Sequence, residues 1–325
     1  MKKITISRRF VLFLKSVLFG VCLTLLAWLY IWKGETLKFM GVLPHKCPPA
    51  CVGARLDGQD LTGLDISGAN LQNANLSKTI LRNSKMVGAN LSGANLNDTI
   101  LNGSDLSGVK LNGASLLKAG MIGVNLNGAD LTSADLSGAN LSRVDLTHVI
   151  LKGTVFNNAQ MVGAILDYAY LAGGRFNAAE LNGASLNFAD LSGSSFLQTK
   201  MGGAHLYRAN LTGARMDGFT QGVDLREADL RSANLKQNDL SGANLERANL
   251  TGADLTDSWL DGANLTQVNL NFAILDGASL TGSNLMDADL QGASLKNVNM
   301  KGVRYTKRTR WPDGFTPPTS AYIVP

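Results

Sequence analysis

Aromatic residues make up only 6% of this chain and charged residues 17%, against roughly a quarter charged in an average globular protein. That balance argues against an ordinary mixed domain and directs attention to internal repeats. Histidine is nearly absent. His45, His148 and His205 are the three present, and none shares a motif with a Cys, Ser or carboxylate. Nucleophilic chemistry therefore has no visible constellation. Cysteine is equally sparse, at Cys22, Cys47 and Cys51, with no second Cys or His pair to complete a tetrahedral metal site. The sequence thus offers no catalytic residue, metal ligand set or cofactor site, and an enzyme is not expected.

What is present is unevenly spread. The net charge of +5 suggests a basic protein, yet residues 1–50 carry eight Lys or Arg against Glu35 alone. Residues 51–305 hold 19 basic and 23 acidic side chains, a net of −4. The body therefore lacks the basic stripe that follows a phosphate backbone, and no nucleic-acid partner is expected.

Residues 1–9, MKKITISRR, precede an apolar run from Phe10 to Trp32. As a helix the run would extend about 34 Å, enough to cross a bilayer core of about 30 Å. Lys15 lies near the basic end, where it can snorkel. Trp28, Tyr30 and Trp32 crowd the other end as an interfacial belt would. A cleaved signal peptide is the rival reading, but no A-x-A-like site follows the run. The expectation is a signal anchor over 10–32, with 1–9 cytoplasmic and everything after Trp32 carried across the membrane. The chain is then a single-pass protein whose repeats are periplasmic, lumenal or extracellular.

From Leu56 an apolar residue falls at every fifth place, without a miss, to Met216. After a break the beat resumes at Leu225 and holds to Met300, with Tyr305 extending it weakly. Two residues before each beat stands a small side chain, as at Ala69, Ala74, Thr79 and Ser84. Period five fits neither regular element. In a helix it places successive leucines roughly 140° apart, and in a flat strand it alternates their faces. A backbone turning by a constant angle every five residues satisfies it, which is a narrow solenoid. Phe156, Phe176 and Phe196 are the only phenylalanines on the beat and are spaced by twenty. Twenty residues per coil means four sides of five, with these rings stacked inside one face.

The unit seen at Ala69-Asn70-Leu71, Ala94-Asn95-Leu96 and Ala243-Asn244-Leu245 resembles the pentapeptide-repeat family. The resemblance covers about residues 51–305 and implies an all-β solenoid: a right-handed quadrilateral β-helix of about twelve coils. The tail from Trp311 to Pro318, WPDGFTPP, resembles a closing segment of such proteins and is expected to cap the last coil. The expected layout is a basic tail 1–9, anchor 10–32, linker and N-terminal cap 33–50, repeats 51–216, break 217–224, repeats 225–305 and C-terminal cap 306–325. Cys47 and Cys51 lie beyond the membrane in this topology. Secreted members often carry a paired-Cys segment before the repeats, so a disulfide between these two is expected, with free thiols as the alternative.

Two features remain. At twenty-residue spacing, two places after the beat, stand His148, Tyr168, Phe188 and Arg208, with Tyr170 and Tyr207 close by in sequence. They read as one vertical ladder near an outer corner, either bracing adjacent coils or binding a partner. The break GFTQG is short. It is a repeat missing one residue or a four-residue bulge, with Gly218 and Gly222 supplying backbone freedom and Phe219 as a displaced beat. The expected function is a membrane-anchored rod that displays its faces to an unknown protein partner, and a homodimer is compatible with it. The family's gyrase-protecting DNA mimics are the alternative. They need a cytoplasmic, strongly acidic rod, which the charge of the body and the expected topology disfavour.

Overall fold

The computed structural model describes residues 51–218 and 220–324, all within one compact unit, Lys46–Pro325. The anchor, Cys22, Cys47 and Phe219 lie outside the described residues. Each five-residue unit is a turn followed by one bridge residue. Cys51 opens the first: the Ala54 N–H donates to the Cys51 carbonyl at 3.0 Å, and Gly53 between them has φ 66°. A positive φ at the third turn residue is the type II pattern. Cys51 is itself buried on the beat, one unit before Leu56, and is disulfide-bonded.

Bridge residues pair in parallel with the residue twenty places on, beginning with Arg55 and Asn75. Across that rung the Leu56 N–H donates to the Asn75 carbonyl and the Asn75 N–H to the Ala54 carbonyl, both at 2.8 Å. Four such columns make a four-sided β-helix. Two rungs lengthen into short strand pairs: β1 (Ser195–Phe196) with β2 (Arg215–Met216), and β3 (Arg304–Tyr305) with β4 (Tyr322–Ile323). The second pair folds the tail back under the last turns, where Trp311 packs edge-on against Tyr305.

The beat residues fill the lumen, with most of the leucines fully buried. Each such leucine stabilises the fold by about 1.5–3 kcal/mol relative to exposure. At several places where Thr or Ser replaces the small alanine, its hydroxyl is satisfied one coil away: Thr79 Oγ1 donates to the Leu56 carbonyl at 2.9 Å and Thr199 Oγ1 to that of Phe176 at 2.7 Å. Phe156, Phe176 and Phe196 stack down the same lumen, centroids 5.0 and 4.9 Å apart, with planes within 11° and 5°.

At the break one coil contains nineteen residues, so His205 pairs with Asp224 and Asn210 with Asp229. The arrangement is a repeat missing one residue, with no bulge. Thr220 takes the hydrogen-bond register of a beat: its N–H donates to the Asp239 carbonyl, and its own carbonyl accepts from the Val223 N–H. Thr220 is buried, with Oγ1 donating to the Asp239 carbonyl at 2.7 Å. Thr220 thus stands in the register of the beat in this unit, and the expectation of Phe219 as a displaced beat falls outside the described residues. Gly218 approaches Thr199 so closely that an added Cβ would lie 2.1 Å from the Thr199 carbonyl oxygen. Gly222 has φ 64°.

A second interruption occurs where the beat is unbroken. Gly123, Leu126, Gly128 and Asp145 donate no backbone hydrogen bond, so one face opens between consecutive coils. One coil below, the corner bond from His148 N to the Asp167 carbonyl is long at 3.4 Å, while Leu146 N to the Ile165 carbonyl is 2.6 Å.

Candidate functional site

The most distinctive side chains on the surface stand at one corner, between those two interruptions. His148, Tyr168, Phe188 and Arg208 occupy the third turn position and have φ between 55° and 60°. An L-residue there bears a backbone strain of about 1–2 kcal/mol. The turn geometry is set by the rungs above and below, so the side chain must accept the conformation.

The corner spacing equals one rung, and the rings meet. His148 stacks on Tyr168 with centroids 5.2 Å apart, and Tyr168 on Phe188 at 4.8 Å with planes within 1°. The stack ends against Tyr207, whose ring meets Phe188 edge-on at 5.4 Å. Above His148 the corner residue is Gly128, so the upper ring face has no corner side chain over it.

Arg208 does not join the stack. Its guanidinium lies over Tyr207 at 5.3 Å, and Nε donates to Glu227 Oε2 at 2.6 Å. Arg226 approaches the same ring at 5.7 Å while pairing with Asp224 at 2.7 Å. Arg247 continues the corner, donating from Nε to Gln267 Oε1 at 2.9 Å. Tyr207, Arg226, Glu227, Glu246 and Arg247 line a surface recess of about 330 Å³. The continuation through Glu227 and Arg247 escaped sequence reasoning because counting by twenty fails after the short coil. Counting beats instead of residues from Leu206 to Leu225 would have found it.

These ion pairs shape the titration of the carboxylates. Burial works against the Asp224 carboxylate, yet hydrogen bonds from the Arg226 side chain and backbone outweigh it and hold its pKa below the ordinary value. The Arg231 side chain does the same for Asp229, and Arg208 for Glu227. A carboxylate depressed in the fold adds stability above its unfolded value of about 4 and loses it as pH falls through the lower folded value. Thermal melts are therefore expected to hold steady from pH 7 to about 5 and to drop progressively below pH 4.

Among the described residues no group of His, Cys, Asp and Glu is arranged to hold a metal ion. Cys51 has its disulfide partner outside them. No helix among the described residues is long and apolar enough to cross a membrane. Further exposed large apolar residues, not anticipated from the sequence, are Phe272, Trp259 and Ile274; Phe272 is 69% exposed and leans over Gly292.

A family model, "Pentapeptide repeats", matches in eight copies, its segments running from 51 to 218 and from 228 to 302. The chain belongs to the pentapeptide-repeat family. With the four-sided geometry above, membership makes the fold a right-handed quadrilateral β-helix. Pentapeptide-repeat proteins are generally non-catalytic structural modules.

HetL, a pentapeptide-repeat protein involved in heterocyst differentiation regulation in the cyanobacterium Nostoc sp. strain PCC 7120, is 30% identical over 76% of this chain and 89% of its own, with a TM-score of 0.31. A pentapeptide-repeat protein of the Arabidopsis thaliana thylakoid lumen is 33% identical over 36% of this chain and 70% of its own, with a TM-score of 0.20. QnrB1, a plasmid-mediated fluoroquinolone resistance protein, is 17% identical over 76% of this chain and 93% of its own, with a TM-score of 0.20. The repeat pattern carries the assignment, since these superposition scores are too low to add to it. Among curated proteins no relative matches.

Proposed function

We propose that this pentapeptide-repeat chain is a non-catalytic interaction rod of about twelve coils. Residues 10–32 anchor it in a membrane, and its repeats engage a protein partner on the non-cytoplasmic side. The observation that carries the reading is the exposed ring stack at the His148–Tyr168–Phe188 corner. Three bulky planar side chains accept a strained backbone there and remain partly open to solvent. Clustered Tyr, Phe and Arg are common at binding hot spots. The gyrase-protecting DNA-mimic alternative needs more negative charge than −4 over residues 51–305, and QnrB1, at 17% identity, speaks for the fold alone.

Two measurements test this. A C-terminal fusion to alkaline phosphatase should be active in intact cells; activity only of a cytoplasmic fluorescent fusion would end the topology. A photo-crosslinking amino acid at Tyr170 should give a discrete adduct, while the same group at Gln198, across the rod, should not. Equal yields at both positions would remove the corner as the contact face.

The ladder also makes a stability prediction. Tyr168→Ala should destabilise the chain by roughly 1–2 kcal/mol through two lost ring contacts. Tyr168→Gly should be less harmful by roughly 1 kcal/mol, because glycine relieves the φ of 60°. Urea denaturation of the two variants checks the order.

A further inference from the structure

The chemistry of what binds at this corner rests on the reading of it as a contact face. The stacked rings are the centre of a larger patch. Ile150, Ile165, Tyr168, Tyr170 and Phe188 are all exposed large apolar residues, Tyr170 the most at 58%. They fall on the corner and the two faces that meet at it. With each ring able to present up to about 150–250 Å², their exposed parts sum to a few hundred Å². That is the size at which a surface patch is often functional.

The rungs show what borders the patch. Asp130 pairs with Ile150, Ile150 with Tyr170 and Tyr170 with Asp190, so one column reads acid, apolar, aromatic, acid. In the neighbouring face Asp145 pairs with Ile165 and Ile165 with Ser185. Asp167 precedes Tyr168 in sequence. Each of these four carboxylates accepts hydrogen bonds from turn or neighbouring-coil donors: Asp130 from Thr132, Asp145 from Thr147, Asp167 from Ser185 and Asn187, and Asp190 from Ser192 and Asn210. None of the four is in an ion pair within 4.0 Å. Lys110 stands in the same column one rung beyond Asp130, Arg208 lies on the ladder corner one rung below Phe188 and is held by Glu227, Lys152 sits at the next corner, and Arg143 at the far corner of the Asp145 face. Lower down the rod the pattern reverses, and Asp224, Glu227 and Asp229 each have an arginine partner. Carboxylates with no direct ion pair among the described residues, at the rim of an apolar centre, make the patch complementary to a basic, apolar surface.

We propose that this corner binds a protein segment in which two basic side chains flank a short apolar stretch. The apolar stretch covers Tyr168, Tyr170, Ile150 and Ile165, and the cations meet Asp130 and Asp190. Three rungs separate those carboxylates, about 14 Å at the strand spacing. An extended segment bridges the same distance in four residues at about 3.4 Å each. The spacing therefore fits basic residues at positions i and i+4 of an extended stretch.

The test uses the purified full-length chain and two fluorescent peptides, Arg-Leu-Phe-Leu-Arg and Glu-Leu-Phe-Leu-Glu, in anisotropy titrations. The basic peptide should bind, with affinity falling as salt rises, and the acidic peptide should not. Tyr170→Ser with Ile165→Ser should weaken binding at least about tenfold by removing the apolar seat. Asp130→Asn with Asp190→Asn keeps the hydrogen-bond acceptors, so it leaves folding intact and should still weaken binding several-fold. Phe272→Ala, away from the patch, should bind as the unaltered chain does. Circular dichroism melts of each variant separate lost binding from lost folding. Equal binding of both peptides, or unchanged binding to the Tyr170→Ser, Ile165→Ser chain, overturns the proposal. So does a dimer in sedimentation that Tyr170→Ser, Ile165→Ser dissolves, since a second copy would then be the occupant. If the basic peptide fails while the Tyr170 crosslink still forms, the charge reading falls and the contact face stands. If both fail, both readings fall.

Discussion

Phe176→Ala is expected to destabilise the rod by about 3–5 kcal/mol, at the upper end for loss of a buried ring. The reason lies in the lumen. Phe176 is fully buried between Phe156 and Phe196, with ring centroids 5.0 and 4.9 Å away, so one truncation removes two stacking contacts and a core volume. In a globular domain neighbouring elements could shift to close part of that void. Here the width of the lumen is held by backbone rungs on all four sides, including Phe176 N to the Ser195 carbonyl at 2.7 Å and Phe156 N to the Arg175 carbonyl at 2.6 Å. The void cannot collapse without breaking them. Phe176→Leu, which keeps the beat but not the stack, should recover roughly half of the loss. Chemical denaturation of the three chains measures it. Phe176→Ala within about 1 kcal/mol of the unaltered chain would show that the stack adds little.

Gly218→Ala is the other change with a large expected effect, roughly 2–4 kcal/mol of destabilisation, for a different reason. The missing residue draws Gly218 against the Thr199 backbone, and a Cβ there would lie 2.1 Å from a carbonyl oxygen and 2.8 Å from a backbone nitrogen. Backbone on a rung cannot yield as a flexible side chain would. The strain should concentrate at the seam, so hydrogen exchange at Thr199 and Thr220 should accelerate before exchange elsewhere does. Gly213→Ala, at an ordinary turn with no atom within 4 Å of its would-be Cβ, supplies the comparison. It should cost about 1 kcal/mol for its φ of 66° alone. If Gly218→Ala is no worse than Gly213→Ala, close approach is not what the seam requires.

The two changes probe the rod at its most regular and least regular points, and the surface features follow the same division. The exposed ring stack runs beside the internal Phe stack, in the stretch between the opened face at Gly123–Gly128 and the short coil at Gly218–Gly222. Both stacks brace the same coils, one inside and one outside. A stretch braced inside and outside offers a partner a preorganised surface, which lowers the entropy cost of binding.

Sequence alone determined the period, the four sides and the inward residues, because a narrow solenoid admits one large and one small side chain per unit and any lapse would empty its lumen. It also placed Phe156, Phe176 and Phe196 in one column, and His148, Tyr168 and Phe188 in another, since equal spacing in a regular coil means vertical neighbours. Tertiary structure decided what regular counting could not. Thr220 took the beat from the place where Gln221 was due, because a backbone register can advance by one residue when a glycine tolerates close contact. That shift carried Glu227 and Arg247 into the corner column, where Arg208 pairs with Glu227 and lies over Tyr207 instead of stacking on Phe188. The opened rungs at Gly123, Leu126, Gly128 and Asp145 have no counterpart in the sequence pattern, whose beat continues through Leu126 without a lapse. Side-chain periodicity reports what faces the lumen. Hydrogen bonding between coils depends on how each coil settles on the next, and only the assembled rod fixes that.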